Sequence, residues 1–432
     1  MSTRSGKAPA ERKADMEAAV GVTDRSIVLP SSSRARHPGR GPESINARLK
    51  RAGVNRGVAA LLVTALVTPA LDAGVLPEDR ADALYHSYDG GGVEVTGPSY
   101  LVRKGDNKRI SGEVNYYVDS ISSASIDVLT QGSPYSEQRT QWSGTMDYLH
   151  ADTTMSAGYT YSSESDYKAD TYNFSISQSM FGDLTTVTLG YSRGYDDVLD
   201  NFNPAFKENA NHQNYHVSLS QVLTKNLLLS LNYDGITDEG YLQNPYRHVL
   251  VLNDPNDPSA GANFTTPEKY PDTHTSNAVS ANFLYYLPYR ASLRVGYRYY
   301  NDDWNVSAHT ADISYTHPLR DRWIFDVGFR YYQQTRADFY ADLFDRPDQQ
   351  NFMARDKELS EFKDYSVGFG LTYNLLEHSW GYIDKATLNF NYDHIWFRYN
   401  DFSDVRGGAI PPQAPEYEFD ADVLQLFGSI WY

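Results

Sequence analysis

The 432-residue sequence contains no cysteine. Disulfides, thiolate metal sites, iron–sulfur clusters, covalently attached haem and lipoprotein acylation are therefore excluded for this chain. Long apolar runs are also scarce: beyond the first 73 residues, none reaches the roughly 20 residues that a membrane-spanning helix needs. Charge is absent from the last nine residues, LQLFGSIWY, although the formal net charge is −17. An apolar, aromatic C-terminus is unusual, since chain ends are normally polar and frayed.

Charge divides the chain into two unequal parts. Residues 1–70 hold 12 Lys and Arg against 5 Asp and Glu, whereas the remainder holds 26 against 50. The basic part ends in an apolar stretch of signal-peptide length, followed by small residues suited to cleavage near Ala70 or Ala73. We expect residues 1–73 to be an N-terminal extension and a secretory signal, and we assign residues 1–43 no function. A single transmembrane anchor is the alternative, which the shortness of the apolar run disfavours.

Tyrosine is abundant, with 35 residues against 18 Phe and 6 Trp, and it favours strands whose rings meet an apolar phase while the hydroxyls stay hydrated. Segments that alternate apolar and polar residues recur from residue 110 to the end, and each predicts a strand with one apolar face. We count fourteen: 110–121, 140–150, 153–162, 169–180, 184–193, 213–224, 226–236, 276–287, 291–301, 305–316, 322–334, 363–375, 385–398 and 419–432.

The connections between these segments alternate in length. Short turns follow most even-numbered strands, and longer acidic loops follow most odd-numbered ones, at about 194–212, 237–275, 335–362 and 399–418. Together with an even strand count and a signal peptide, this predicts an all-β, transmembrane antiparallel barrel of about 14 strands in the bacterial outer membrane, with both termini periplasmic. Only a closed barrel satisfies the backbone hydrogen bonds of spanning strands in lipid. A soluble β-sandwich or propeller is the alternative interpretation of the alternation.

The barrel prediction also explains the uncharged C-terminus. Four residues share one parity and are expected on the lipid face of the closing strand: Leu424, Leu426, Ile430 and Tyr432. They resemble the C-terminal signal that outer-membrane proteins present to the barrel assembly machinery. We therefore expect this machinery to recognise them.

Several stretches carry a resemblance to a known family: 83–104 (ALYHSYDGGGVEVTGPSYLVRK), 297–315 (YRYYNDDWNVSAHTADISY), 329–340 (FRYYQQTRADFY) and 355–362 (RDKELSEF). Over nearly all of the chain after the signal, the sequence resembles an uncharacterised family of proteobacterial outer-membrane β-barrel proteins, catalogued as a domain of unknown function. The resemblance implies the same location and a barrel, and it brings no activity and no catalytic residues. Such families are often encoded near thioredoxin-like and flavin-transferring proteins, which hints at redox or metal traffic across the envelope.

Residues 74–108 precede the first predicted strand. The part from Val93 to Lys108 has the composition of a further strand, but one extra strand would make the count odd. We therefore expect a periplasmic or lumen-entering segment, with Asp89–Gly92 as a flexible joint and the barrel itself in residues 109–432.

Charged residues on the parity opposite to the apolar one should face the barrel interior. They are Glu113, Asp119, Asp147, Asp234, Arg294, Arg298, Asp312, Asp326, Arg330 and Asp393. Counting back from the short loop after the ninth strand sets Arg294 roughly opposite Asp312. We expect a charge lattice on this wall: Arg294, Arg298, Asp312, Asp326 and Arg330. Either its paired charges stiffen and occupy the barrel, or it forms a constriction that selects solutes by charge.

Metal-ligating and catalytic patterns are weak. His212 and His216 have a spacing that suits a metal on a helix, but on a strand they lie ~13 Å apart. Asp302, Asp303 and His309 form the most suggestive cluster for a loop ion site, and turn chemistry explains the aspartates equally well. No Ser-His-Asp set can be assembled, so we expect no enzyme and no cofactor. Nucleic acid is a poor partner for so acidic a chain without a basic patch.

Three functional classes remain. The first expectation is a channel or transporter for a small polar solute or ion, since a barrel of about fourteen strands is wide enough for a polar bore. The second is a barrel scaffold for a redox or metal-handling partner in the envelope, such as a periplasmic redox protein, and the third is an outer-membrane enzyme. The expected surroundings are lipid and lipopolysaccharide of the Gram-negative outer membrane, reached by secretion through the inner membrane.

Overall fold

A computed structural model describes residues 74–106, 108–123, 125–131, 135–376 and 379–432. The expected signal peptide and extension lie outside these residues. The strands are β1 (Arg80–Gly90), β2 (Val93–Gly105), β3 (Ile110–Ser123), β4 (Tyr135–His150), β5 (Thr153–Ser163), β6 (Tyr167–Met180), β7 (Thr185–Leu199), β8 (Lys207–Thr224), β9 (Leu227–Gly240), β10 (His248–Leu252), β11 (Ala262–Pro267), β12 (Thr273–Tyr286), β13 (Ser292–Asp302), β14 (Ser307–Leu319), β15 (Trp323–Gln334), β16 (Phe362–Asn374), β17 (Lys385–Ser403) and β18 (Glu416–Trp431).

Among the described residues, helical structure is limited to short pieces. One α-helix, α1 (Ile126–Gln131), follows β3, and short 3₁₀ helices span Pro258–Ala260, Lys357–Leu359 and Val405–Gly407. In the described part of the chain, no helix is long and apolar enough to cross a membrane.

Sixteen of the strands form one closed antiparallel barrel, and β10 and β11 form a separate hairpin. The barrel strands follow one another in chain order, and β1 closes the ring by pairing with β18, with Arg80 opposite Trp431 and Gly90 opposite Ala421. β9 and β12 are direct neighbours because the β10–β11 hairpin belongs to the loop between them. Closure gives the backbone groups on both edges of each barrel strand a partner, as lipid requires.

The short and the long connections lie at different ends of the barrel. At one end of the barrel, the turn end, lie short connections such as 151–152 and 225–226. At the other, the loop end, lie the long connections 241–272, 335–361 and 404–415. β1 begins and β18 ends at the turn end, where Arg80 pairs with Trp431. This is the alternation that the sequence predicts.

The predicted count of fourteen strands is wrong by two, although every one of the fourteen is present. Residues 74–108 are not a periplasmic or lumen-entering segment: they supply β1 and β2, so the barrel begins at Arg80 and not at residue 109. Gly91 and Gly92 join the two strands with φ values of 59° and 77°. Positive φ at both central residues makes a tight hairpin turn in place of a flexible joint. A whole hairpin keeps the strand count even, where a single strand would not.

Side chains alternate between the two faces of the barrel wall. The outward positions carry large apolar side chains that are exposed on the isolated chain, among them Tyr100, Trp142, Phe174, Val279, Val327 and Phe369. The inward positions carry polar side chains that are mostly buried, among them Ser99, Asp147, Ser177, Thr186, Ser218 and Asn391. An apolar outside around a polar inside is the reverse of a soluble sandwich or propeller, and it defines an outer-membrane-type β-barrel.

The residues of the expected assembly signal lie at outward positions of β18 and just beyond it: Leu424, Leu426, Ile430 and Tyr432. Tyr432 is held in place, because its hydroxyl donates to the carbonyl of Arg103 at 3.1 Å and its ring lies 4.8 Å from the Nζ atom of Lys104. The C-terminus is thereby tied to the end of β2, one strand beyond the closing pair.

Phe329 tests whether the apolar belt faces lipid. It lies at an outward position near the middle of β15 and is 44% exposed. Phe329→Arg should lower the free energy of unfolding by about 2–4 kcal/mol, the usual effect of arginine on the lipid face near the bilayer midplane. Urea titration in phospholipid vesicles, followed by tryptophan fluorescence, measures this. The control Phe329→Leu should change it far less, and equal effects of the two variants would contradict a lipid-facing position.

Candidate functional site

Two long loops fold together over the loop end and form the cap, residues 241–272 and 335–361. Phe344 extends the β10–β11 hairpin: its N–H donates to the carbonyl of Leu250 and its carbonyl accepts from the N–H of Leu252, both at 2.9 Å. A small apolar cluster is buried between the loops: Val249, Val251, Phe344 and Met353. The two loops are therefore one structural unit.

The cap reaches across the barrel mouth from the strands where it starts. The N–H of His248 donates to Oε1 of Gln131, in the loop between β3 and β4, at 2.9 Å. Nη2 of Arg355 donates to the carbonyl of Ser403, at the end of β17, at 2.9 Å. The loop 241–272 itself starts between β9 and β12, which lie across the ring from β1 and β2. Contacts from one loop pair to both flanks mean that the cap lies across the mouth.

An aromatic cluster holds the cap in this position. Its large members are Tyr88, Tyr270, Trp304, Phe339, Tyr340, Phe397, Tyr399, Phe402 and Tyr417. They come from the cap, from the β13–β14 turn and from inward positions of β1, β17 and β18. The ring of Tyr270 lies 5.6 Å from that of Trp304 and 5.4 Å from that of Phe339. The cap therefore packs like a protein core and narrows the loop end.

Charged groups are buried inside the cap. Arg247 and Arg355 are each 2% exposed, and they pair with Asp356 and, at 2.7 Å, with Asp342. Glu268 is also buried, and its carboxylate accepts from the N–H of Arg355 at 2.8 Å. Burial raises the pKa of Glu268 to about 7, against the lowering effect of the Arg247 charge. Glu268 is therefore a cap carboxyl whose charge changes near neutral pH.

A row of aspartates and histidines crosses the inward wall near the cap. We name it the Asp–His chain: Asp196, His212, Asp238, His274 and Asp302. His212 places Nε2 3.0 Å from Asp196 and Nδ1 2.7 Å from Asp238. His274 places Nδ1 3.2 Å from Asp238 and Nε2 3.0 Å from Asp302. The chain links five consecutive barrel strands, from β7 to β13.

The hydrogen-bond geometry fixes the charges in the Asp–His chain. Ionised carboxylates only accept hydrogen bonds, so each ring nitrogen of His212 and His274 donates to its aspartate. A histidine that donates from both nitrogens is cationic. The charges therefore alternate in sign from strand to strand, whereas like charges on neighbouring strands would repel. The chain also ties β9 to β12 beneath the inserted cap loop.

The predicted charge lattice is only partly assembled. Its five residues all lie at inward positions, as predicted: Arg294, Arg298, Asp312, Asp326 and Arg330. The register differs from the prediction, because Arg294 lies opposite Ser314 and Asp312 lies opposite Gly296. Nε of Arg294 still lies 4.0 Å from Oδ2 of Asp312, as a diagonal contact.

The remaining lattice residues have partners elsewhere or none. Arg330 pairs with Asp364 on β16 at 2.7 Å, and Asp326 accepts from the hydroxyl of Thr316 at 2.6 Å. Arg298 makes no ion pair and no hydrogen bond within the described residues. The five charges are thus neighbours on one wall, but they are not one network.

The β13–β14 turn explains the register error. The carboxylate of Asp302 accepts from the N–H of Trp304 at 3.1 Å and from that of Val306 at 2.7 Å, which centres the turn on Trp304. The sequence count placed the centre one residue earlier, so it shifted the partner of Arg294 by two positions. Side-chain capping of a turn sets its length, and the alternation pattern does not record it.

The residues of the expected loop ion site are not brought together. Asp302 belongs to the Asp–His chain, and Asp303 accepts from the N–H of Thr275 at 2.9 Å. His309 lies at an outward position of β14, where a ring nitrogen lies 2.7 Å from the hydroxyl of Tyr297. These three residues therefore do not form a common ligand set.

Among the described residues, one trio is close enough to share a metal ion: Glu137, Glu164 and Asp166. The trio already has structural bonds. Asp166 accepts from the hydroxyl of Tyr246 in the cap at 2.8 Å, and Glu137 accepts from the N–H of Ser165 at 2.6 Å. These bonds join the cap to neighbouring loop-end connections.

The Asp–His chain was not predicted as a functional feature, although the sequence contains enough information to predict one of its pairs. Counting outward from the short turn between β8 and β9 sets His212 opposite Asp238 and His216 opposite Asp234. Nδ1 of His216 does lie 2.7 Å from Asp234, so the two histidines have separate partners and share no ligand. The step from Asp238 to His274 crosses the cap loop, and no count along the sequence reaches it.

Glu268 predicts a pH dependence of cap docking. A raised pKa means that the folded cap favours the protonated form, so this stabilisation is complete below pH 4.5 and is lost as the pH rises through about 7. We expect the open fraction of the cap to increase at least about tenfold between about pH 5 and about pH 8, since one pKa unit corresponds to about tenfold. The distance between spin labels at Asn256→Cys and Glu208→Cys measures it.

The control variants isolate the effect of Glu268. Glu268→Gln should remove most of the pH dependence, because an amide does not ionise. Glu239→Gln changes an exposed carboxylate at the end of β9 and should leave the dependence intact. A pH response that survives in Glu268→Gln would contradict the assignment.

A family model and several solved structures are similar to this chain. The family model described as "Protein of unknown function (DUF3570)" matches residues 126–383. None of the curated proteins matches the chain. Among solved structures, a bacterial polysaccharide outer membrane secretin is 8% identical with a TM-score of 0.45, covering 83% of this chain and 100% of that one.

Two structures from Pseudomonas aeruginosa are also similar. A FadL homologue is 10% identical with a TM-score of 0.42, covering 84% of this chain and 93% of that one. OccK2 (OpdF) in complex with glucuronate is 10% identical with a TM-score of 0.40, covering 83% and 99%. At these scores the likenesses imply nothing about activity. The family match spans more than half of the chain and confirms the resemblance seen in the sequence: the chain belongs to the DUF3570 family of proteins of unknown function.

Proposed function

We propose that this barrel lets small ions or polar solutes cross the outer membrane through its lumen. The observation that carries the proposal is a charged inward wall that water reaches. On β13 and β14, the side chains of Arg294 and Asp312 are 27% and 29% exposed, and that of Arg330 on β15 is 33% exposed. A barrel of sixteen strands has room for an aqueous path past such groups.

The inward wall favours cations. Inward carboxylates of the described strands are Asp82, Glu113, Asp119, Glu137, Asp147, Asp196, Glu208, Asp234, Asp238, Asp302, Asp312, Asp326, Asp364 and Asp393. The inward Arg and Lys residues are fewer: Arg80, Arg103, Arg139, Arg294, Arg298, Arg330 and Lys385. The cationic histidines of the Asp–His chain reduce the negative surplus without removing it. Fixed charge of one sign raises the local concentration of the opposite ion.

The cap limits what enters. It lies across the mouth and packs against inward aromatic residues, so solutes pass beside it or when it moves. Small solutes therefore fit the proposal better than large ones. The proposal includes no chemical step, since none of the described residues forms a catalytic set.

The proposal also includes location and orientation. The chain is secreted through the inner membrane and inserted in the Gram-negative outer membrane, with the turn end periplasmic and the cap outside. Its surroundings are lipid and lipopolysaccharide, and the barrel assembly machinery recognises the outward residues at the end of β18. The apolar belt and the ordered C-terminus support this.

Removal of the last two residues tests the assembly role. A chain without Trp431 and Tyr432 loses the ties from Tyr432 to Arg103 and Lys104, together with the terminal aromatic of the expected assembly signal. We expect a several-fold lower level of heat-modifiable barrel in the outer membrane, measured on gels of membrane fractions. The control Tyr432→Phe keeps the aromatic end and should assemble normally. Normal assembly of the truncated chain would contradict the role.

Planar-bilayer recording tests conduction. The wild-type barrel should give stepwise currents with a reversal potential that indicates cation preference. Asp312→Asn should shift the permeability ratio toward anions by up to about fivefold, because a unit charge at 4 Å is worth about 1 kcal/mol in water. The shift should shrink at about 1 M salt, where the Debye length is about 3 Å.

A matched variant on the other face controls for indirect effects. Asp422→Asn changes an outward carboxylate on β18 and should leave ion preference unchanged. A wild-type barrel that assembles and conducts nothing would sink the proposed function. If such a closed barrel instead copurified with a periplasmic protein, the scaffold class would replace it.

A further inference from the structure

Arg298 is an unmatched charge on the inward wall. Its guanidinium has no ion pair and no hydrogen bond within the described residues, although it carries five N–H donors. The ring of Tyr300 lies beside it, with its centroid 5.9 Å from the guanidinium carbon. The residue is only half-buried, so these donors face the lumen. A guanidinium in this state is free to bind an acceptor that arrives from the lumen.

The charges around Arg298 are matched by partners other than Arg298. Arg330 forms an ion pair with Asp364 at 2.7 Å, whereas the ion pair of Arg294 with Asp312 is longer, at 4.0 Å. Nη2 of Arg294 also donates to Oδ1 of Asn282 at 3.2 Å. Each inward carboxylate of β13 to β16 has a partner other than Arg298: Asp302, Asp312, Asp326 and Asp364. Arg298 is therefore left as the unmatched cation of this stretch, inside an acidic lumen.

Gly296 keeps Asp312 away from Arg298. It occupies the inward position between Arg294 and Arg298 and lies opposite Asp312. A Cβ atom at this glycine would lie 2.3 Å from Oδ1 of Asp312 and 2.8 Å from Oδ1 of Asn282. The missing side chain therefore lets the Asp312 carboxylate lie against β13, on the Arg294 side. Among the described residues, Asp312 pairs with Arg294 and not with Arg298.

Aromatic contacts orient the guanidinium. Tyr300 supplies the ring beside Arg298, and its own hydroxyl donates to Asp302 at 3.0 Å. A guanidinium attracted to a ring within about 6 Å keeps N–H donors available for an oxyanion, in the forked geometry that carboxylates and phosphates accept.

We propose that Arg298, supported by Arg294, binds the oxyanion group, carboxylate or phosphate, of a small solute inside the lumen. The proposal rests on the proposed function and names the chemistry of a solute that dwells in the passage. The bond is a forked, charge-assisted hydrogen bond in a water-filled space, so binding is weak and reversible, as passage requires. The acidic remainder of the wall disfavours bare anions, and a solute that also carries a positive charge is the best match.

Direct binding to the purified, detergent-solubilised full chain tests the site without conduction. Ligand-observed NMR with acetate in one series and inorganic phosphate in another measures affinity and separates the two oxyanions; glycine adds a positive charge next to the carboxylate. We expect saturable binding of at least one of the three. Arg298→Gln should weaken it at least about tenfold, since one hydrogen bond to a charged group contributes that much.

The control lies on the outer face of the barrel. Arg193 also lies beside a tyrosine, with its guanidinium carbon 5.1 Å from the centroid of the Tyr195 ring, but at an outward position of β7. Arg193→Gln should bind like the wild type. Arg298→Lys keeps the charge, loses the fork and should fall between the wild type and Arg298→Gln; if Arg298→Gln fails to assemble, a loss in Arg298→Lys alone supports the site.

The outcomes separate the two proposals. Equal affinity of the wild type and Arg298→Gln, or no binding of any probe to the wild type, overturns the Arg298 site, whatever the bilayer recordings show. Loss of binding in Arg298→Gln supports the site even if the barrel never conducts. In that case the proposed function fails and the oxyanion site stands.

Discussion

The whole structure depends on one constraint, which is that a strand in lipid finds hydrogen-bond partners only on its neighbours. Sixteen strands meet it by closing on themselves, and the closing pair β1–β18 is the step that completes the ring. The ties from Tyr432 to the end of β2 hold that pair in place. Once the ring is closed, the pleat sends every second side chain outward and leaves the others to line an interior that must be polar.

That interior creates a second problem, because many acidic groups share one confined wall. The structure answers it in two ways. Across β7 to β13, the Asp–His chain places a cationic imidazole between successive aspartates, so that opposite charges adjoin. On β13 to β16, arginines take over this role, but incompletely, and Arg298 is left with unused donors. A fully matched wall would be inert toward solutes, and an unmatched group is where a passing ion or solute can interact.

The cap determines access to this wall. It is built like a small soluble core, with the Phe344 bridge to the β10–β11 hairpin, the aromatic cluster around Tyr270 and buried ion pairs, although it belongs to loops. The cap contacts the β3–β4 connection and the end of β17, so its position depends on the closed ring. Burial in this core disfavours the ionised form of Glu268, so the same burial that orders the cap makes cap docking sensitive to pH.

The class of fold is readable from local pattern, because period-two alternation, loop asymmetry and an uncharged aromatic end follow from the environment of each strand. Parity is local too, so it predicts the face of charged residues on the fourteen recognised strands: Arg298 and Asp312 are inward, and His309 is outward. Local pattern failed at β1 and β2, whose weak alternation and glycine turn hid a hairpin. Which charges meet depends on the three-dimensional fold, because partners such as Asp238 and His274 are set by pairing across the cap loop. Turn length at Trp304 and the docking of the cap likewise depend on contacts between residues far apart in sequence, which no local pattern encodes.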